Sequence, residues 1–241
     1  LAAFPDTQSA IDFVPRIITE GGLIPASIEF LDHKALKLAE KYLNTEVPAG
    51  NAGAALIIQL ENNDADLIEK EFEEIGKLSQ KHGAVEVYVA DTRSTKDRIW
   101  QARKSVPEAV SFFYSRYTKE DLAVPTAMVP RLLEMIREKA EADGLEWIAY
   151  GHAGDGNMHC TIISPDCADW HERLHAAQER IYAELIKMGG TLSGEHGIGF
   201  KRKGYMKFFL DEAQLELIKR VKLAFDPRNI LNPGKLVDWE R

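Results

Sequence analysis

Apolar residues along the chain keep two spacings in alternation. Runs of strand length, LAAF (1–4), ASIEFL (26–31) and AALIIQL (54–60), are separated by stretches of helical spacing from Ala10 to Thr19 and from Lys34 to Leu43. From Asp66 to Gln80 the residues Ile68, Phe72, Ile75 and Leu78 recur every three or four positions, which predicts a one-faced amphipathic helix closed by KHG at 81–83. A strand, AVEVYVA (84–90), and a helix from about Ser94 to Val110 come next. The outline then repeats: strand EDLAVP (120–125), a helix from Val129 to Ala142 ended by DG, and strand EWIAYGH (146–152). No repeat of residues accompanies this repeat of elements.

Such alternation fits either a parallel doubly wound sheet or an α+β sandwich. Two features favour the second. AVEVYVA alternates polar with apolar residues, as a sheet with one covered face requires, whereas doubly buried parallel strands read as unbroken apolar runs. No glycine-rich strand-to-helix turn of the dinucleotide-binding kind occurs. The expected fold class is therefore α+β: a ferredoxin-like antiparallel sheet with helices on one face, followed by a C-terminal helical extension.

With 241 residues, 45% of them hydrophobic and 28% charged, the chain is long enough for one large domain or two small ones around a real core. The formal charge of -8 removes the basic face that phosphate neutralisation needs, so a nucleic-acid partner is not expected. Small anionic substrates stay open wherever basic residues gather. No run of about 18 apolar residues crosses a bilayer, and no charged-then-apolar leader precedes the first helix, so a cytoplasmic protein is expected. The default oligomer is a homodimer. Cys160 and Cys167 match neither a redox pair nor a four-ligand zinc site, which predicts reduced, packed thiols. The opening LAAFPDTQSA has no initiator methionine, and a fragment of something longer is expected.

Chemistry gathers around GHAGDGNMH (151–159). EWIAYGH and NMHCTIIS both read as strands, so AGDG between them makes a hairpin, with Gly154 and Gly156 taking the positive φ that tight turns demand. Side chains facing each other across a hairpin lie close, so His152 and His159 could converge on one ion. The alternative is a plain hairpin with two polar residues on its open face. A second glycine-bracketed cluster, SGEHGIGFKRKG (193–204), adds Glu195 and His196. Two histidines and a glutamate form the ligand set of open catalytic zinc sites, and Glu195 takes the third place. His196 suits proton abstraction, because an imidazole titrates at about 6.5 in its ordinary state. The alternative for this cluster is a polar loop bonded only to itself.

HERLH (171–175) offers a rival, because His171, Glu172 and His175 match the zinc-protease pattern with Glu195 at third-ligand distance. Yet Trp170, Leu174, Ala177, Ile181, Leu185 and Met188 form the apolar stripe of that helix and leave both histidines on its flank. The basic residues Arg103 and Lys104 in IWQARKSVPEA, and Lys119 in TKEDLAVP, sit among apolar groups where a cation can hold a carboxylate. The tail FDPRNILNPGKLV (225–237), dense in turn residues after an amphipathic helix, reads as an ordered extension.

Taken together, GHAGDGNMH, GGTLSGEHGIGFKR and FDPRNILNPGK resemble the C-terminal domain of the FAD-linked oxidases, in particular D-lactate dehydrogenases, the flavin subunit of glycolate oxidase and D-2-hydroxyglutarate dehydrogenase. The likeness extends through ASIEFLD, IWQARKSVPEA and KEDLAVP and covers nearly the whole chain. It implies a substrate-binding domain of about 1–190, with its site hairpin at 150–163. The helical segment and tail of about 191–241 would pack on an N-terminal FAD-binding domain absent from this chain. The resemblance further implies that His152, His159 and Glu195 bind a divalent metal, often zinc, and that His196 is the base. It places Arg103, Lys119 and Asn157 at a 2-hydroxy acid and Asn232 near the flavin ring, with an electron acceptor it does not name. A reading from another class, a non-catalytic binding or assembly module, gains if no flavin domain accompanies the chain.

Overall fold

The computed structural model describes residues 1–236. Its strands are β1 (Ala2–Phe4), β2 (Ser27–Asp32), β3 (Ala54–Gln59), β4 (Glu86–Val87), β5 (Tyr117–Ala123), β6 (Glu146–His152) and β7 (Asn157–Ile163). They form one sheet in the order β4-β1-β3-β2-β6-β7-β5, and every pairing is antiparallel. The first four strands have the order of a ferredoxin-like unit, and β5, β6 and β7 repeat three-quarters of a second one. Where a fourth strand of that unit would lie, Thr191 alone bridges Ala123. The two units join through β2 and β6, with Leu31 opposite Tyr150 and Glu29 opposite His152. The repeated outline of elements in the sequence is thus a structural repeat.

The antiparallel α+β class agrees with the sequence, whereas the expected placement of the helices needs correction. Phe30, Leu56, Met158 and Ile162 face one side of the sheet, under α1 (Thr7–Thr19), α3 (Ala65–Lys81), α5 (Val129–Ala142) and α6 (Trp170–Lys187). Leu31, Ile57, Ile148 and Tyr150 face the other, under α2 (His33–Leu43) and α4 (Arg93–Phe113). Helices therefore cover both faces. The reason lies in the strands: β3 carries the unbroken apolar run AALII, and β2 sends Ile28 and Phe30 to one face and Leu31 to the other, with Glu29 and Asp32 buried among them. The alternating AVEVYVA, which argued for a one-sided sheet, contributes only the two-residue edge strand β4. Phe30 and Leu31 are both fully buried on opposite faces, each contributing about 1.5–3 kcal/mol by burial.

α4 covers its face with Ile99, Ala102, Val106, Ala109 and Val110, and Thr92 caps its start by accepting from the Thr95 amide. That stripe leaves the end of the sheet near His152 and His159 open, with Arg103 at its margin. Both cysteines are free, Cys160 in the core and Cys167 half-buried, and no helix among the described residues is long and apolar enough to cross a membrane. After α6 the chain makes the short helices α7 (Gly199–Arg202) and α8 (Met206–Phe209) and then α9 (Glu212–Phe225), opened by a capping box between Asp211 and Gln214. The following turns are tied down by Asp226, whose carboxylate accepts from the amides of Ile230 (3.0 Å) and Leu231 (2.9 Å) and from Lys222. The tail is thus an ordered extension as far as residue 236, and Val237 at the end of the quoted motif lies outside the described residues.

Candidate metal and substrate site

The hairpin forms as expected, with a tighter logic than the glycine count indicated. Gly156 has φ +83°, and a Cβ there would stand 2.1 Å from the Val124 carbonyl oxygen. Gly154 has no positive φ; it packs on Ile28 and donates its amide to the Ile28 carbonyl at 3.2 Å. Replacing Gly156 by alanine should therefore destabilise the fold by about 2–5 kcal/mol, the sum of a left-handed backbone penalty and a steric clash. Gly144→Ala is the control, because its φ is +67° with nothing within 4 Å of the added Cβ. Thermal unfolding of the two variants should separate them clearly, and equal losses would contradict the clash.

The histidines are not direct partners across the hairpin. His152 pairs with Asn157, and Tyr150 with His159, which makes the two imidazoles diagonal neighbours on the α4 side of the sheet. Their ring centroids are 5.2 Å apart. The turn after α6 brings Glu195 to them, so that Oε1 lies 3.2 Å from Nε2 of His152 and 3.2 Å from Nε2 of His159. His196 stacks on His159 with ring centroids 5.1 Å apart and an interplanar angle of 9°, its Nε2 3.6 Å from the same oxygen. Asp121, His159, Glu195 and His196 each offer a ligand atom within 4.8 Å of the others, while His152 joins through Glu195.

Supporting groups surround this cluster. Nδ1 of His152 lies 2.6 Å from Glu29 Oε1, and Glu29 accepts from Arg103 Nε at 2.8 Å. The hydrogen bond to Glu29 raises the pKa of His152. Burial works against the Glu29 carboxylate, yet His152 and Arg103 together bring its pKa down. His159 is buried, and desolvation, followed by the nearby Arg103, lowers its pKa to about 4, so the ring is neutral and its nitrogen free to bind a cation. Asp121 is fully buried on β5 and accepts from Ser193 Oγ at 3.0 Å and from the amides of Glu195 at 3.1 Å and His196 at 2.8 Å. The donor set suits a cation: two atoms each bonded to one tetrahedral zinc lie about 3.3 Å apart, close to the separations that Glu195 Oε1 keeps from both imidazoles.

The remaining residues singled out in the sequence divide. Arg103 reaches the site from α4 with its guanidinium over Tyr150, 4.9 Å from the ring centroid. The Lys119 ammonium donates to the Pro107 carbonyl at 2.8 Å and to Ser111 Oγ at 2.9 Å. Lys104 lies over the Trp100 ring. Asn157 is buried, and its carboxamide packs where a Cβ on Gly194 would fall, 2.3 Å from Oδ1, so it backs the turn that carries Glu195. Asn232 is exposed in the C-terminal turns. His171, Glu172 and His175 are exposed on α6, and the acidic contact of His175 is Glu179. Glu195 is engaged instead with His152 and His159, which overturns the protease reading. Sequence reasoning passed over Glu29 and Asp121; their signal was a carboxylate within a strand segment, flanked by Ile28 and Phe30 in SIEFLD and followed by Leu122 in YTKEDLA.

Over residues 1–236 the chain matches the family described as FAD linked oxidases, C-terminal domain. It is 33% identical over 237 residues to the glycolate oxidase subunit GlcD of Bacillus subtilis (strain 168), a match covering 98% of this chain and 50% of that protein. To a D-lactate dehydrogenase of Archaeoglobus fulgidus it is 32% identical over 239 residues, covering 97% and 50%. The chain thus spans about half the length of the curated relatives it matches. Among solved structures, p-cresol methylhydroxylase with substrate bound superposes with a TM-score of 0.67 at 13% identity, covering 97% of this chain and 51% of that one. The 4-ethylphenol oxidase from Gulosibacter chungangensis gives 0.65 at 15% identity, covering 99% and 53%. At such identities the likeness is one of fold.

Proposed function

The chain belongs to the family of FAD-linked oxidase C-terminal domains, and from that premise we propose that it is the substrate-binding portion of a flavoprotein that oxidises a D-2-hydroxy acid to the 2-oxo acid. The observation that carries this reading is the convergence of His152 and His159 on one oxygen of Glu195, with His196 stacked beside them. His152, His159 and Glu195 hold a divalent metal, with zinc the first candidate. Asp121 is left out of the ligand set because three donors occupy its Oδ2 and its Oδ1 faces Nδ1 of His159 at 3.7 Å, the ring nitrogen other than the one beside Glu195.

A bound divalent cation supplies positive charge that eases loss of the substrate's hydroxyl proton. His196 accepts that proton at Nε2. The substrate carboxylate is held by Arg103, whose Nε is committed to Glu29 while its terminal nitrogens have no hydrogen-bond partner among the described residues, and by Lys119 on release from Pro107. Holding the carboxylate aims the α-hydrogen, and orientation of this kind contributes several kcal/mol to the barrier. The flavin, when bound, supplies the two-electron acceptor for the α-hydride.

Two features support a covering FAD domain. The side chains of Glu195 and His196 are 49% and 55% exposed, and a hydride-transfer site needs a wall against water. Along α9, Leu217, Val221 and Phe225 recur every four residues as a stripe that faces solvent, and Phe200 on α7 is exposed as well. Asn232, in the turns after α9, would approach the flavin from that side. The test is reduction of a dye acceptor by the whole protein that carries this chain, supplied in turn with D-lactate, glycolate and D-2-hydroxyglutarate. At least one should support turnover; no reduction with any of them by the flavin-loaded protein would overturn the reading.

A further inference from the structure

Behind the site, the two oxygens of Asp121 have different surroundings. Oδ2 accepts from Ser193 Oγ and from the amides of Glu195 and His196, so this one atom folds the turn that presents the carboxylate and the imidazole. Oδ1 is shut off from solvent and has no hydrogen-bond partner among the described residues, and the same is true of Nδ1 of His159. The two orphaned atoms face each other at 3.7 Å. A buried polar atom left without a partner carries its desolvation cost uncompensated, and closing this gap would satisfy both. A carboxylate oxygen only accepts, so the proton between them belongs to His159. A neutral imidazole carries one proton; placed on Nδ1, it leaves the lone pair on Nε2, the atom 3.2 Å from Glu195 Oε1.

We propose that Asp121 is a positioning residue that fixes His159 as its Nδ1–H tautomer, leaving Nε2 unprotonated toward Glu195, and that the same carboxylate ties this choice to the turn carrying Glu195 and His196. The link to a cation rests on the metal reading above. Metal-bound histidines commonly donate their other ring nitrogen to a carboxylate, and loss of such a partner costs about 10–100-fold in affinity.

The discriminating variant is Asp121→Asn. To keep the turn, the asparagine oxygen must accept from the amides of Glu195 and His196, which aims its NH₂ at Nδ1 of His159. Two donors cannot face each other, so the proton moves to Nε2 and the lone pair is lost from the metal side. A role confined to holding the turn would be rescued by asparagine; a role in setting the tautomer would not. Neutron diffraction from the metal-free whole protein should show the His159 proton on Nδ1 in the wild type and on Nε2 in the variant. Zinc affinity, measured by competition with a chelator, should fall about 10–100-fold.

A wild-type His159 protonated on Nε2, or zinc bound equally well by the asparagine variant, would overturn the proposal. A wild type that binds no zinc but carries the proton on Nδ1 would remove the metal reading and leave the tautomer assignment standing. The wild-type measurement decides the matter even if the variant fails to fold.

Discussion

Replacing His196 by alanine in the whole protein should slow reduction of its flavin by the hydroxy acid by about 10²–10⁴-fold, the contribution typical of a positioned general base. Metal content should stay at the wild-type level. His196 reaches the site from the turn between α6 and α7, and its Nε2 lies 3.6 Å from Glu195 Oε1. Stacking on His159 fixes its plane, and Nδ1 faces Asp121 at 3.6 Å. The ring is held, yet exposed on the side a substrate would enter. Anaerobic stopped-flow at saturating substrate separates the chemical step from binding: the rate of flavin bleaching should collapse while the dependence on substrate concentration changes little. A rate within tenfold of wild type would assign the proton to another group.

The second large effect concerns Glu195, whose Oε1 lies 3.2 Å from Nε2 of both hairpin histidines. In Glu195→Ala, zinc should fall from one per chain to nearly none at concentrations that saturate the wild type. The loss in affinity should exceed the about 10–100-fold expected for a supporting residue, and activity should be lost with it. Elemental analysis after gel filtration reads the stoichiometry. Binding is also linked to pH. The hydrogen bond to Glu29 raises the pKa of His152, so below that pKa the ring is protonated and must release a proton to accept a cation. Zinc affinity should therefore climb as pH rises through the titration of His152 and level off above it. Equal metal content in the alanine variant would remove Glu195 from the site.

Much of this arrangement was legible because its signals are local. Apolar spacing located the one-faced α3, α5 and α6, and glycines bracketing histidine and glutamate marked both halves of the site. Pairing across the sheet was not legible, because it depends on partners far apart in the chain. Glu29 meets His152 across 123 positions, and Asp121 meets the His196 amide across 75. The one-sided sheet was inferred from AVEVYVA, a segment that reaches the edge and so reports on solvent there; the unbroken apolar run of AALIIQ, and the adjacent Phe30 and Leu31 of SIEFLD, carried the contrary signal. The diagonal placement of His152 and His159 depends on register: with His152 opposite Asn157, the second histidine falls two residues beyond the direct partner.

The proposed chemistry rests on one cation held between the hairpin and the turn after α6. Crystals of the zinc-loaded whole protein, measured on both sides of the zinc absorption edge, test this most directly. The expected result is a single anomalous peak within bonding distance of Nε2 of His152, Nε2 of His159 and Oε1 of Glu195. A map with no peak there, or with its zinc at His171 and His175, would contradict it.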